Sequence, residues 1–574
     1  MIGASARALR ASRTSPGGDG RSTARVLVGG TAWNTVAQLV PIPITVVMTP
    51  YLIHHLGVDR WGLIALVTTL QTIISTLDGG LIGTLNRYFA IYAGADDRSS
   101  TTKTLTTVLV FILGVGVVIG TLGWFLAPTL VGLFAMPKGL RPETTFYMRT
   151  VVGLLALGFA RSAIAGVIVA RQRYALNSFL SVSTYAVWVV GLVVTVKGGW
   201  GLRGVAVTFA AQLALSTLIV LPSALRYLDR RSVRFLPGAE ARQLFSYSAK
   251  VQVGGLSRLA NAEFDNLVIG TLLSVHSVAL YNAGTGFATQ VNGILGNALT
   301  PAATHMARTY GAEGEQTAWS TYIRLQRVWA VLCSGFFAVA LGASYYAIVN
   351  WLGPGFRVGG VIAMIVVAGQ GVLTMAMMLG FYCIILGWAD IEVRLGIINV
   401  AVNVALTAAL IWVGVLGVVV ATVVAWVVSS WSLLRAARRR TSPTAPNFID
   451  GPSLPASIVT AAAVFAMEYV LHPAVPRGPV GLVAAAGPAL VGLGIFVVVR
   501  FGPRYILNLV PGVLRARSGG VKAMSSHLIT AMVDGIAFPR KEELGRLPSN
   551  SSPAAACAVP DLEVVGAGEH GDEP

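Results

Sequence analysis

Two aspartates, Asp78 and Asp265, stand inside stretches of apolar sequence long enough to cross a bilayer, and two arginines, Arg161 and Arg258, stand inside others. A charge near mid-membrane costs on the order of several kcal/mol unless it meets a partner or a watery cavity, so such residues mark a pathway. Both aspartates sit in polar stripes whose members are three and four apart and share one helix face. One stripe is Thr68, Gln71, Ser75 and Asp78; another is Tyr247, Gly254, Arg258, Asn261 and Asp265. Two more stripes carry no charge: Thr31, Asn34, Gln38 and Thr45, and Asn282, Thr285, Thr289 and Asn292.

The spacing bears on what chemistry these groups can do. At ~1.5 Å rise per residue, Arg161 and Asp78 lie at matching depth, Arg258 lies near mid-span, and Asp265 lies roughly 10 Å toward the other face. Two readings stay open. Arg–Asp pairs can lock helices together. Alternatively the arginines, whose fork geometry suits phosphate, receive an anionic substrate while a carboxylate binds H+ or Na+. Glu263 lies about 140° around its helix from Arg258, off the stripe. Lys250 and Arg87 lie near span ends, from which long side chains reach the headgroups. His305 also lies at a span end.

The elements that hold these residues are set by composition. The chain has 574 residues, of which 55% are apolar and only 11% charged, and the apolar ones recur in runs of about twenty that match a ~30 Å bilayer core. This predicts an all-α polytopic membrane protein with fourteen spans, near 28–53, 61–90, 104–134, 147–170, 176–197, 202–225, 244–271, 279–306, 323–349, 359–387, 393–413, 415–434, 455–472 and 479–500. Arginines and lysines gather at alternate span ends, including Arg98, Lys103, Arg171, Arg173, Arg324, Arg327, Arg435, Arg439 and Arg500. The positive-inside rule makes these ends, and both termini, cytoplasmic in a plasma or inner membrane. The net charge of +18 is this loop bias, which suits anionic lipid headgroups rather than nucleic acid.

Matched joins suggest an internal repeat. Residues 56–64 resemble residues 273–281, and residues 201–204 resemble 414–417, at offsets of 217 and 213. Two six-helix halves in one orientation follow, each with its polar stripes in its first two spans, as expected if the halves face each other across a shared polar cavity. The expected organisation is a disordered arm (1–27), an N-terminal bundle (28–242), a C-terminal bundle (243–440), an extra helix pair (441–510) and a mostly disordered tail (511–574). Cys333, Cys383 and Cys557 make neither a disulfide framework nor a metal site. Residues 199–204 fit a dinucleotide glycine pattern but join two membrane helices, and no nucleotide-binding lysine loop occurs, so no cofactor is expected.

At residues 77–88 (LDGGLIGTLNRY), 264–270 (FDNLVIG) and 279–281 (ALY), the chain resembles Wzx-type polysaccharide flippases of the multidrug/oligosaccharidyl-lipid/polysaccharide (MOP) exporter superfamily. The resemblance covers roughly residues 28–500. It implies two six-helix bundles plus a final pair that alternate between openings to the two sides, carrying a polyprenyl-pyrophosphate-linked oligosaccharide to the outer leaflet. It marks Asp78, Arg87 and Asp265 as motif positions, and Arg161 and Arg258 as the cationic lining. Asn34, Gln38, Asn261 and Asn292 would hydrogen-bond sugars, and polysaccharide-assembly proteins are implied partners. Gly79 and Gly80 follow the aspartate where many relatives carry a bulkier residue first, which leaves the substrate open. The rival readings are a multidrug cation antiporter, which calls for a more acidic cavity, a peptidoglycan-precursor flippase, and a membrane glycosyltransferase or polymerase, which calls for larger acidic outer loops.

Overall fold

The computed structural model describes residues 40–75, 81–171, 173–440 and 449–502, apart from some side chains within its helices. Among the described residues every regular element is helical, because in hydrocarbon each backbone N–H and C=O needs a partner within its own segment or a closed barrel. The first bundle contains α1 (Pro41–Leu56), α2 (Val58–Ser75), α3 (Leu81–Gly94), α4 (Arg98–Gly132), α5 (Arg141–Gly153), α6 (Leu155–Ala170), α7 (Tyr174–Lys197) and α8 (Gly201–Leu225). The second contains α9 (Gly238–Leu272), α10 (Val275–Glu313), α11 (Glu315–Leu352), α12 (Arg357–Ile385), α13 (Ala389–Leu410) and α14 (Val415–Arg440). The final pair is α15 (Ser453–Leu471), with α16 (Pro479–Ala484) running into α17 (Ala486–Phe501).

Each expected span corresponds to helix over most or all of its described residues. Nine spans in the described residues are long and apolar enough to cross a membrane, and α5 with α6, bent by 40°, makes a tenth. The other four expected spans, at α1, α2 with α3, α9 and α10, are those whose sequence carries the polar stripes, and parts of them lie outside the described residues. A helix with a polar face sits in a bilayer only when that face is turned away from lipid. The stretch expected as one span over 61–90 appears as α2 and α3, with residues 76–80 outside the described residues.

The largest apolar core lies in the second bundle, where Tyr322, Ile323, Trp329, Phe337, Ile362 and Tyr382 interlock. The first bundle divides its core between a cluster around Leu85, Phe89, Ile112, Phe159 and Ile168 and another around Met48, Val67, Tyr147 and Leu192. Helix α9 serves both bundles: Leu244 joins the first bundle's core, and Phe245 meets Phe111 at 4.7 Å between ring centroids. Farther along α9, Ile269 joins the second bundle's core.

Candidate functional site

At the arginine-poor end the two bundles are zipped together. The backbone N–H of Ala135 donates to the Gly270 carbonyl at 2.9 Å, and the Val275 N–H donates to the Ala135 carbonyl at 3.2 Å. Asp59 and His276 approach to 3.3 Å across the same seam. Gly62 of α2 lies so close to α10 that a Cβ there would fall 2.1 Å from the Val275 carbonyl oxygen. Gly270 likewise leaves room for the Leu66 side chain. Beside this seam, Arg60 grips Glu143 through two N–H donors at 3.2 and 3.3 Å, tying α2 to α5.

Deeper along the seam the contacts become polar. The Thr69 hydroxyl of α2 donates to Glu263 Oε2 of α9 at 2.8 Å, and the Asn266 amide donates to the same oxygen at 3.5 Å. Asn282 of α10 donates to Asn266 Oδ1 at 2.8 Å. A chain of hydrogen bonds therefore runs from the first bundle through α9 into the second. Glu263, off the stripe in the sequence, is thus the carboxylate placed between the bundles.

Asp265, two residues on, turns the other way, since successive helix positions two apart lie about 200° around the axis. It is 2% exposed. Its Oδ2 accepts from the Tyr281 hydroxyl at 2.9 Å and the Thr422 hydroxyl at 2.6 Å. Asn403, which accepts from Thr407 at 3.0 Å, stands beside the same carboxyl group. Its Oδ1 has no hydrogen-bond partner among the described residues. The carboxyl thus lies at the meeting point of α9, α10, α13 and α14. Its close partners are the hydroxyls of Tyr281 and Thr422, with the Asn403 side chain beside them.

The other sequence-marked residues fall in separate places. Arg161 of α6 is half-buried, and its Nε is enclosed without a partner among the described residues. Asn292 accepts from the Thr374 hydroxyl of α12 at 2.7 Å, within the second bundle. Thr45 meets Tyr185 of α7 at 3.2 Å, inside the first bundle rather than across the seam. Asn34, Gln38 and Asp78 lie outside the described residues, as do the side chains of Arg87, Arg258 and Asn261.

A family model for "Polysaccharide biosynthesis protein" matches residues 27–304. Among solved structures, an inward-facing multidrug resistance MATE family transporter of the MOP superfamily is 16% identical, with 71% of this chain and 97% of that one covered and a TM-score of 0.58. A MATE in complex with MaL6 is 14% identical, with 72% and 93% covered and a TM-score of 0.50. No curated protein matches the sequence. The chain shares the fold of these transporters.

Several polar residues at these contacts carry no mark in the sequence. Thr69, Asn266, Thr422 and Asn403 become significant only through contacts between helices, and Tyr281 only through its hydroxyl. Glu468 of α15 was legible, being a carboxylate inside an expected span by the same rule that singles out Asp265. It is 2% exposed, and its Oε1 has no partner among the described residues.

Proposed function

We propose that this transporter moves a polyprenyl-pyrophosphate-linked oligosaccharide from the cytoplasmic to the outer leaflet by alternating access, with cation binding at Asp265 biasing the cycle. The observation that carries the reading is the seam between the bundles, zipped by backbone hydrogen bonds and close glycine packing at the arginine-poor end and crossed by side-chain hydrogen bonds deeper in. On the orientation given by positive-inside charge, both termini are cytoplasmic and the zipped end faces outward. The moving units are residues 28–242 and 243–440, with 441–510 riding on the second and the arms 1–27 and 511–574 lying outside the cycle. The polysaccharide family match supports the substrate class.

The chemistry of the residues fits that cargo. A sugar-pyrophosphate cannot enter hydrocarbon, so it needs a polar, positively lined passage with a side opening for its lipid tail. Arg161, with an unsatisfied buried N–H, supplies cationic donors, and Arg258 and Asn261 on α9 and Asn34 and Gln38 on the first span add to the lining. Asn292 supports the wall. Asp78 and Asp265 are the cation or ion-pair positions. Cation binding moves the equilibrium only by the difference in its affinity for the two states. The open oxygen of Asp265, at the junction of four helices, is where such a difference arises.

The test is a proteoliposome assay with a fluorescent polyprenyl-pyrophosphate oligosaccharide under an imposed H+ or Na+ gradient. Arg161→Ala is expected to slow flipping by about tenfold or more, the scale of one lost charge-assisted contact, with Arg161→Lys retaining part of the rate. Asp265→Asn is expected to abolish gradient stimulation while leaving slow exchange. Full gradient-driven flipping by Asp265→Asn contradicts the coupling role, and export of small cations in place of the lipid contradicts the substrate.

A further inference from the structure

A second site lies at the arginine-rich ends of α13 and α14. A cavity of about 250 Å³ opens there, lined by Asp390, Arg394, Arg435, Arg439 and Arg440 above an apolar floor that includes Ile391 and Leu395. Four guanidinium groups meet one carboxylate. Arg440 holds that carboxylate through both nitrogens, at 3.0 and 2.5 Å, while its guanidinium lies 5.5 Å from the Trp388 ring centroid. Asp390 is thereby committed to one wall. Arg435 stacks over Trp431 at 5.9 Å. Arg394, Arg435 and Arg439 have no carboxylate within ion-pair distance among the described residues. Elsewhere on this side Arg171 pairs with Asp96 and Arg500 with Asp450.

The surroundings decide what anion fits. Helix α13 is the most lipid-facing of the apolar spans, with only 17% of its window buried. Leu395 and Ile398, within about one turn of Arg394, carry the apolar lining of the cavity along the same face of α13. Tryptophans flanking a span end mark headgroup depth. The cleft therefore offers guanidinium forks at the level of lipid phosphates, next to an apolar track at the level of acyl chains. Diffuse loop charge needs neither a cavity nor such a track.

We propose that this cleft binds the phosphate of an anionic membrane lipid, gripped by Arg394, Arg435 and Arg439, with its chains leaving along Leu395 and Ile398. The site lies on the outer flank of the second bundle, and the proposal stands apart from the oligosaccharide reading.

The experiment is native mass spectrometry of the purified full-length chain in detergent with added phosphatidylglycerol or phosphatidylcholine, alone and with inorganic phosphate. Wild-type protein is expected to retain phosphatidylglycerol over phosphatidylcholine, and the triple variant R394A/R435A/R439A to lose that preference by about tenfold or more. Removing equal charge in R230A/R231A/R234A is expected to change it by less than about twofold. Equal losses in the two triple variants would mean only a diffuse field and would overturn the site. Full displacement of the lipid by millimolar phosphate would show a soluble-anion site and overturn the lipid assignment. A photoreactive phosphatidylglycerol on wild-type protein gives a reading independent of variant folding: cross-links are expected in residues 389–398 and 431–440, and their absence there rejects the proposal.

Discussion

The two bundles are built differently although they share a plan. In the second, α11 and α12 have 61% of their apolar windows buried and α14 44%, with only the peripheral α13 at 17%, against 33%, 22% and 33% for α4, α7 and α8 of the first. One cause is the extra pair: Gly335 admits Phe496 of α17, and Gly342 admits the α15 backbone at Ala461. Small residues let membrane helices approach in this way. A second cause is polar pinning between helices. Gln326 donates to the Met375 carbonyl at 3.1 Å, Trp329 to the Thr374 carbonyl at 2.8 Å, and Asn399 to Ser429 at 3.2 Å. In both bundles many hydroxyls, such as those of Thr101, Thr184, Thr285 and Ser334, bond the carbonyl four residues back in their own helix and so pin nothing. The contrast teaches that the second bundle is the more tightly interlocked of the two, and that the α2–α9–α10 seam is where the first meets it.

The sharpest way to break this comparison is to cut one anchor in the second bundle. Trp329, 4% exposed, is expected to cost about 3–5 kcal/mol as Trp329→Ala. Val110→Ala in the first bundle, at 53% exposure, is expected to stay within about 0.5 kcal/mol. Thermal unfolding in detergent compares them, and equal losses would remove the distinction. Next in size is the seam. Gly62→Ala puts a Cβ 2.1 Å from a backbone oxygen, so the bundles must part there. The expected loss is about 1–3 kcal/mol, with faster maleimide labelling of a Leu66→Cys reporter; unchanged labelling would mean the seam is not a rigid contact.

Smaller effects sharpen the picture. Thr422→Val removes a 2.6 Å donor from Asp265 and is expected to cost about 1–2 kcal/mol and to alter the cation dependence of transport, whereas Thr184→Val leaves that dependence unchanged. The smallest effect is at the turn where Asp96 takes a left-handed backbone, φ 48°. The hydrogen bond and charge of Arg171 hold the Asp96 carboxyl below the usual carboxylate range. A lowered native value means that the pair stabilises at neutral pH and loses its contribution as pH falls through that value. The melting-temperature gap between wild type and Arg171→Ala should therefore shrink between pH ~6 and ~3. A constant gap would place the effect in packing against Tyr227, 5.8 Å from the guanidinium.

The span pattern was legible in the sequence because hydropathy over some twenty residues is a local property. What was not legible is which face meets which helix. Asp265 reads as a stripe member beside Arg258, yet its described donors come from 16 and 157 residues away. Glu263 reads as off the stripe because the stripe was drawn through Arg258, and it is the side of α9 bearing Glu263 that meets α2. No periodicity within one helix encodes the rotation of its neighbour, which side-chain packing between bundles sets.

The central claim, that the zipped end opens in each transport cycle, is tested most directly by tethering it. Asp59 and His276 face each other at 3.3 Å across the seam, and the native Cys333 and Cys383 are buried away from it. In the variant D59C/H276C, closing a short thiol cross-link is expected to stop lipid-linked oligosaccharide flipping, by about tenfold or more, and reductive release of the link to restore it. Undiminished flipping by fully cross-linked protein would contradict the account.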